Sequence, residues 1–365
     1  MIHYPDCTEA LRGATVLKDR ERILRLLANP GEDEARQVIA AADRLRGETV
    51  GNEVHLRVLI EFSNYCRNNC LYCGLRRDNR QVARYRMTPE EIIAAAEQGA
   101  TLGYRTMVLQ SGEDPFYSAE TVAALIRAIK GLGLVVTLSI GEREPWEYEL
   151  WREAGAERYL MRYETADPDL YRRLHPGQSL ERRVQLLKIL KQLDYQVGTG
   201  FMVGLPGQDS RTLYADLELA LAMEAEMVGI GPFIPHPATP LGREPGGTVE
   251  LTCLMVALAR LALPYAMIPA TTALGSIDPS GREAALQAGA NVVMPNLTLR
   301  KYRPDYQIYP NKICLSEDAA DCRGCITRRI ESIGRKVADD PGHNLLWMRR
   351  QFNKKTEGKS PCIWK

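Results

Sequence analysis

Three cysteines in one short stretch are the residues of this sequence best suited to chemistry. Cys66, Cys70 and Cys73 form a C-x3-C-x2-C pattern. A structural zinc ion would need a fourth cysteine or histidine at a local spacing, and no histidine follows closely on the C-terminal side. Three thiolates suit a [4Fe-4S] cluster whose fourth iron is left for another ligand. The pattern therefore predicts an iron-sulfur site, with structural zinc as the alternative.

A second group of three cysteines lies near the end of the sequence. Cys314, Cys322 and Cys325 form a C-x7-C-x2-C pattern. Clustered thiols in a reducing compartment are more often ligands than disulfides, so we expect a second cluster site. The spacing does not decide between [2Fe-2S] and [4Fe-4S]. The isolated cysteines, which we expect to bind no metal, are Cys7, Cys253 and Cys362.

Short apolar or β-branched runs alternate with helical patterns through the middle of the chain. Thr88, which is followed by Pro89 and two acidic residues, and Ser179 are typical helix starts. Eight alternations of strand and helix predict an α/β protein with a complete (βα)8 TIM-type barrel. A doubly wound open sheet is the alternative, because order along the chain does not prove closure. The predicted strands cover residues 55–61, 106–111, 135–140, 158–164, 196–203, 227–233, 268–273 and 291–295.

The pattern divides the chain into three parts. We expect an N-terminal helical cap over residues 1–50, the barrel over residues 51–300, and a C-terminal extension with the second cysteine group over residues 301–365. The 47 Lys and Arg residues almost balance the 46 Asp and Glu residues, so no overall basic field favours nucleic acid or an acidic membrane surface. The residues after Met1 lack the basic and apolar regions typical of a signal peptide, and no apolar run reaches membrane-spanning length, so we expect a cytoplasmic protein.

Side-chain alternation along the predicted strands indicates a polar barrel interior. In the first strand Arg57, Glu61 and Ser63 share one phase with Leu59, while the apolar residues between them share the other. A packed barrel is filled with Val, Ile and Leu, and unpaired buried charge costs several kcal/mol. We therefore expect a polar cavity inside the barrel that binds a ligand.

The sequence resembles the radical S-adenosylmethionine (SAM) superfamily. The resemblance rests on the first cysteine motif, with Tyr72 before its last cysteine, directly after the first strand of a barrel. Further stretches resemble the [FeFe]-hydrogenase maturases of the biotin synthase-like branch. They cover residues 60–64, 74–79, 84–91, 108–115 and 229–237.

The resemblance implies a role for particular residues. Cys66, Cys70 and Cys73 would hold the [4Fe-4S] cluster, whose open iron binds the methionyl group of SAM. The residues that would contact SAM are Tyr72, Gln110, Ser111, Gly112, Glu113, Thr137, Ser139, Arg162, Glu164, Arg183, Met202 and Ile230. The residues that would surround a substrate cavity beneath the adenosine are Arg57, Arg158, Thr271, Thr272, Met294 and Tyr306.

Several of these residues also have a structural interpretation. Arg162 and Glu164 could form an ion pair without a catalytic role. Met202 could fill the core, and Thr271 and Thr272 could simply be β-branched strand residues.

The resemblance also implies the activity. Reductive cleavage of SAM would give a 5′-deoxyadenosyl radical that attacks the sulfur of an iron-bound cysteine complex carrying carbonyl and cyanide. The expected partners are a tyrosine-cleaving radical SAM maturase, a scaffold GTPase and an electron donor. The alternatives are a radical SAM mutase similar to methylornithine synthase and an iron-sulfur carrier without catalysis. The carrier alternative does not explain the polar interior.

Overall fold

The structure, a computed structural model, describes residues 16–357, so Cys7 and Cys362 lie outside the described residues. Its strands are short and almost all parallel, as expected for a barrel of alternating strands and helices. They are β1 (Glu53–Ser63), β2 (Thr106–Ser111), β3 (Val135–Ser139), β4 (Arg158–Leu160), β5 (Gln196–Val203), β6 (Met227–Pro232), β7 (Val292–Val293) and β8 (Lys336–Val337).

The central sheet closes into a ring. Its strands follow the order β6-β5-β4-β3-β2-β1-β7, and every pair is parallel. Met227 forms a bridge with Met267, and Pro269 forms one with Val292, which joins β6 to β7. Residues 267–269 therefore take the place of the predicted strand over 268–273, shortened because a helix begins at Thr272. The TIM-type barrel is confirmed, and the open-sheet alternative is wrong.

Thirteen α-helices surround the strands within residues 16–357. Thr88 caps one of them through a capping box with Glu91, and the hydroxyl of Ser179 accepts a hydrogen bond from the amide of Arg182, so both predicted helix starts are confirmed. The helices are α1 (Arg20–Ala28), α2 (Glu32–Val50), α3 (Pro89–Thr101), α4 (Ala119–Gly131), α5 (Pro145–Glu153), α6 (Pro168–Leu174), α7 (Leu180–Gln192), α8 (Ser210–Ala222), α9 (Val249–Ala262), α10 (Thr272–Ile277), α11 (Gly281–Gln287), α12 (Ala319–Ser332) and α13 (Leu345–Glu357).

The two faces of the strands differ as the sequence predicts. Val58, Ile60 and Phe62 of β1 belong to the large apolar core between the sheet and the helices. Glu61 and Ser63, of the other phase, are buried inside the barrel. Apolar burial against the helices stabilises the fold, while the interior keeps polar groups for a ligand.

A segment of the C-terminal extension closes the barrel at the end where the strands begin. We call residues 338–344 the floor segment. Arg57 donates to the carbonyl of Gly342 (2.9 Å), and Arg158 donates to the carbonyls of Pro341 (2.8 Å) and Gly342 (3.0 Å). The side chain of Gln196 accepts a hydrogen bond from the amide of Asn344 (2.8 Å). These contacts place the open end of the barrel at the carboxyl ends of the strands.

No helix within residues 16–357 combines the length and the apolar character needed to cross a bilayer.

Candidate active site

The three cysteines of the first motif lie on the loop that leaves β1, where barrel active sites are built. All three are free thiols and only partly exposed. The side chain of Arg84 fixes the loop by donating to the backbone carbonyls of Asn64, Leu75, Arg76 and Asn79. The loop is therefore ordered by its own hydrogen bonds.

The thiols are held in a position that suits a cationic ligand. Burial raises the pKa of Cys66 and raises that of Cys70 to about 12, and it raises the pKa of Cys73 as well. The negative charges of neighbouring cysteines add to the increase at Cys70 and Cys73. Three thiolates this close would repel each other without a positive charge between them, which bound iron supplies.

The three thiols are the type of donor that an iron-sulfur cluster requires. Within residues 16–357 no three His, Cys, Asp or Glu side chains converge as one metal ion would require. A cubane cluster needs separated thiolates because each binds a different iron. The side-chain amide of Gln178 donates to the Cys70 sulfur (3.4 Å), a contact of the kind that orients metal ligands. The three cysteines can therefore hold a [4Fe-4S] cluster.

The turn after β2 packs directly against the cysteine loop. A side chain on Gly112 would lie 2.2 Å from the carbonyl oxygen of Tyr65 and 2.8 Å from Cβ of Cys66, so only glycine fits. Glu113, which follows, accepts from Nε of Arg67 (3.1 Å) and from the amide of Glu142 (2.9 Å). The close packing of Gly112 against the cysteine loop places the Glu113 carboxylate beside the cysteines, as expected for a group that binds an amine.

A network of charged groups continues from Glu113 across the barrel mouth. Arg183 donates to Glu142 (2.6 Å), to the carbonyl of Arg162 (2.6 Å) and to the side-chain oxygen of Gln178 (3.1 Å). Nη2 of Arg162 lies 3.1 Å from a carboxylate oxygen of Glu164. That oxygen is buried and has no hydrogen bond, so the contact is an ion pair with spare accepting capacity. Glu164 has a φ of +67°, a strained conformation of the kind that occurs at functional sites.

Several buried polar atoms inside the barrel have no hydrogen-bond partner. They include Oγ1 of Thr137 on β3, Nε of Arg162 and Oγ1 of Thr271, besides Nε of Arg57 and of Arg158 near the floor. Thr271 faces the barrel beside Gly231, where an added Cβ would lie 3.1 Å from its hydroxyl. Leaving a buried polar group unpaired costs about 1–3 kcal/mol. Unpaired groups of this kind are expected where a bound ligand supplies the missing hydrogen bonds.

Tyr72 is held in the cysteine loop by His175. The Nδ1 atom of His175 lies 3.0 Å from the carbonyl of Tyr171, so Nδ1 carries the proton and Nε2 accepts from the Tyr72 hydroxyl (2.9 Å). Burial lowers the pKa of His175 to about 3, which keeps the ring neutral. Met202 lies in the neighbouring apolar cluster with Phe233, against which Tyr72 packs. Tyr72 and Met202 thus form one apolar wall of the mouth.

The remaining predicted site residues are not all in the cavity. Gln110 and Ser139 are in register with Glu61 and with each other, in the same layer of the barrel. Thr272 accepts a hydrogen bond from Arg282 (3.3 Å), and Tyr306 is fully buried in the core. Ile230 packs in the core outside the ring, Met294 packs against the methionines near the floor, and Arg57 and Arg158 bind the floor segment.

The second cysteine group is partly assembled. Cys314 has a φ of +63°, and its thiol hydrogen-bonds with that of Cys322 on α12. The hydrogen bond with Cys322 lowers the pKa of Cys314 to about 6, and the positive charge of nearby Arg282 makes a smaller contribution to the decrease. Cys325 is exposed one helical turn further on, while Cys253 is buried in α9.

Sequence reasoning misses several residues that complete the site. Gln178 and Glu142 lie in loops whose contacts no spacing predicts. Lys312, from the C-terminal extension, forms a buried ion pair with Glu61, which also accepts from Asn296 (2.8 Å). The inward phase of Glu61 in the sequence indicates that a cation such as Lys312 must lie beside it, because a buried carboxylate requires a cation.

The comparisons with known proteins agree with this geometry. Residues 60–220 match the family model of the radical SAM superfamily. The chain is 51% identical over 334 residues to the [FeFe] hydrogenase maturase subunit HydE of Thermotoga maritima, and the match covers 92% of each protein. It is 32% identical to 3-methylornithine synthase of Methanosarcina barkeri, over 86% of this chain and 88% of that protein. The crystal structure of methylornithine synthase (PylB) superposes with a TM-score of 0.78 at 29% identity, covering 89% of this chain and 97% of that one.

Proposed function

Because this chain belongs to the radical SAM superfamily and, within it, to the [FeFe]-hydrogenase maturase HydE family, we propose that its barrel converts an iron-bound cysteine complex carrying carbonyl and cyanide. When bound, a [4Fe-4S] cluster supplies the electron that cleaves SAM to methionine and the 5′-deoxyadenosyl radical. The proposed site of attack is the sulfur of the iron complex. The proposal places this chemistry in the cytoplasm, where reducing conditions keep thiols available for iron.

The observation that carries the proposal is the unpaired polar lining between the cysteine loop and the barrel floor. Thr137, Arg162 and Thr271 offer hydrogen bonds that no protein group takes up. A scaffold that only stores a cluster at the mouth would have no use for such a lining. The lining supports an enzyme with a second, polar substrate below SAM.

In the proposed complex, groups at the mouth bind SAM. The carboxylate of Glu113 accepts from the methionyl amine, and Arg162 binds the methionyl carboxylate. Glu164 accepts from the ribose hydroxyls through its oxygen that lacks a hydrogen bond. Arg183 keeps these groups in place through Glu142 and the carbonyl of Arg162. All four act by binding and orienting, and none needs to transfer a proton.

The positive floor of the barrel supports an anionic substrate. Arg57 and Arg158 are fully buried, and neither forms an ion pair with a carboxylate in the part of the chain described. Burial lowers the pKa of Arg158 to about 10, so it stays charged at neutral pH. Burial also lowers the pKa of Arg57, and Asp340 attracts both arginines without forming an ion pair. The two guanidinium groups at the closed end favour a negatively charged complex by electrostatics across the cavity.

The floor segment also excludes water from the chamber. Its contacts with Arg57, Arg158 and Gln196 close the end of the barrel opposite the cysteines. A radical abstracts hydrogen from unprotected donors, so the chemistry requires such a sealed space. In the proposed sequence of assembly, a tyrosine-cleaving maturase supplies the iron complex and a scaffold GTPase receives the product.

A second candidate is an amino-acid mutase. It is favoured by the superposition on methylornithine synthase and by the 32% identity to that enzyme. Both candidates cleave SAM, so only the second substrate separates them.

The test compares substrates in the anaerobic, cluster-loaded protein. We expect formation of 5′-deoxyadenosine to rise when the iron-carbonyl-cyanide-cysteine complex is added, and to stay at the basal rate with free amino acids. Thr271→Val should weaken the response to the iron complex and leave basal cleavage unchanged. A rise with a free amino acid, together with a rearranged product, would instead establish the mutase.

A further inference from the structure

The cysteine loop carries an unusual concentration of positive charge. Residues 66–86 contain six arginines and a single acidic residue, Asp78, whereas the whole chain has a net charge of only +1. Of the six, Arg77 (64% exposed), Arg67 (53%) and Arg80 face solvent. Arg80 makes no hydrogen bond or ion pair with any residue in 16–357. Arg67, Arg77 and Arg86 pair with Glu113, Asp78 and Asp114, which leaves six arginines against three carboxylates and hence an excess of positive charge.

Two exposed aromatic rings border the same loop. Tyr65 precedes the first cysteine, and Phe116, which is 63% exposed, lies in the loop after β2. Arg86 lies between the rings, 3.8 Å from the Tyr65 centroid and 4.3 Å from that of Phe116. Asp114 holds its guanidinium through hydrogen bonds of 2.7 Å and 3.0 Å. Exposed aromatic rings next to arginine are typical of protein-protein contact surfaces.

The surface is ordered without a partner. Arg84 clamps four carbonyls of the loop, the amide of Arg77 donates to the carbonyl of Asn68 (2.8 Å), and Asn79 donates to that of Gly74 (2.7 Å). A preorganised surface loses little conformational entropy when a partner binds.

We propose that residues 65–86, together with Phe116, form the docking surface for a small acidic electron-carrier protein. The proposal rests on the proposed function, in which one electron must reach the cysteines of this loop. In that step one electron leaves the donor's cofactor and one enters the cluster, with no bond formed or broken. A basic rim accelerates encounter with an acidic protein, and the small aromatic area suits the brief contact of electron-transfer complexes.

The test uses the cluster-loaded protein and a fully reduced flavodoxin of strongly negative net charge. We expect the double variant Arg77→Glu/Arg80→Glu to be reduced at least tenfold more slowly than the wild type at low ionic strength. The difference should shrink as salt is added, because salt screens exposed charges. Stopped-flow absorbance of the cluster measures both rates. The conservative variant Arg77→Lys/Arg80→Lys should keep most of the wild-type rate.

Two controls separate docking from folding and from the proposed function. Arg36→Glu/Arg44→Glu makes the same change of charge on exposed positions of α2 and should be reduced at the wild-type rate. Dithionite, a small reductant, should give the same cluster signal in all variants. If dithionite yields no cluster signal in the wild type, the proposed function fails rather than the docking surface.

Equal rates for the wild type and the loop variant with flavodoxin would overturn the proposal. A loss of rate of the same size in the α2 control would also overturn it, because overall charge would then explain the effect. The proposal is also overturned if the loop variant binds duplex DNA more weakly than the wild type but is reduced by flavodoxin at the wild-type rate, because the basic loop would then be a site for polyanions.

Discussion

At the scale of single residues, the hydrogen bond from Gln178 to the Cys70 sulfur is the contact that acts most directly on the proposed cluster (3.4 Å). Hydrogen bonds to cluster sulfurs stabilise the reduced, more negative state and so raise the reduction potential. The sequence around Gln178 carries no sign of this role, because the amide reaches Cys70 from a part of the chain more than a hundred residues away. Only the folded structure brings the two together.

Replacing Gln178 should therefore change the potential of the cluster. We expect Gln178→Ala to lower the midpoint potential by less than about 59 mV, the equivalent of a tenfold change in a one-electron equilibrium. Redox titration followed by EPR measures the shift. Gln185→Ala removes an exposed glutamine from α7, the helix that follows Gln178, and should leave the potential unchanged. An unshifted potential in Gln178→Ala would show that the amide does not reach the bound cluster.

Thr137 and Thr199 allow a matched comparison of an unpaired hydroxyl inside and outside the barrel. Both have a buried Oγ1 atom without a partner. Thr199 lies on the same face of β5 as Val197 and Phe201, which pack in the core outside the ring. Thr137 lies on the face of β3 that points into the barrel, as Ser139 does. Removing an unpaired buried hydroxyl should stabilise the cofactor-free protein by about 1 kcal/mol in each case.

The two threonine variants should differ in how tightly they bind ligands. We expect Thr137→Val to weaken binding of SAM or of the second substrate several-fold, since the ligand loses its hydrogen-bond partner. Thr199→Val should bind both as the wild type does. Urea unfolding measures the stability, and equilibrium dialysis of the cluster-loaded protein measures binding. Unchanged binding in Thr137→Val would mean that its hydroxyl does not contact the ligand.

At the scale of elements, the strands and their two faces are predictable because hydrophobic alternation reports burial directly. The seventh strand is not, since residues 267–269 are held by isolated bridges and the pattern of 268–273 runs into a helix. The floor segment is also missed, because its role depends on backbone carbonyls. Arg57 and Arg158 have the inward phase that the sequence predicts. Their hydrogen bonds to the carbonyls of residues 341 and 342 are not predictable, for the same reason.

The C-terminal extension is joined to β1 by the buried ion pair of Lys312 with Glu61. Lys312→Met should destabilise the protein by about 3–5 kcal/mol, because an uncompensated carboxylate remains buried. The double variant Glu61→Gln/Lys312→Met should recover much of that loss. Chemical denaturation measures both free energies of unfolding. If the single variant is as stable as the wild type, the pair does not hold the extension in place.

The floor segment should respond to acid through His343. Its Nδ1 atom accepts from Arg158 (3.2 Å) and from Gln196 (2.7 Å), so the ring is neutral in the folded state. Burial, reinforced by Arg158 and Arg57, lowers the pKa of His343 to about 3, below its usual 6.5. The unfolded chain therefore binds the extra proton first, and stability is lost as the pH falls from about 6.5 towards 3.

The size of this effect can be measured by unfolding in urea between pH 7.5 and pH 5. His343 should contribute up to about 1.4 kcal/mol per pH unit within that window. His343→Gln should show a shallower dependence. The remaining slope should come from the other buried histidines, since burial lowers the pKa of His55 to about 4 and that of His175 to about 3, and also lowers that of His236. Identical slopes in the two proteins would exclude His343 as the group that responds to acid.

At the scale of the whole molecule, the barrel separates a charged, partly open mouth from a closed and positive floor. The mouth carries the cysteines, the groups proposed to bind SAM and the arginine-rich loop, while the C-terminal extension seals the other end. The cysteine motif and the strand order predict the position of the mouth, since barrel sites lie at the carboxyl ends of strands. No pattern predicts the closure of the floor, because it depends on contacts between residues that are 148 to 285 positions apart in the sequence.

The most direct test of this account is EPR of the anaerobically reconstituted, reduced protein with and without SAM, combined with an assay for 5′-deoxyadenosine. We expect a [4Fe-4S]+ signal that shifts when SAM is added, together with 5′-deoxyadenosine. Cys70→Ala should abolish both the shift and the product. A protein that binds zinc, gives no such signal and leaves SAM intact would contradict the account and return Cys66, Cys70 and Cys73 to a structural role.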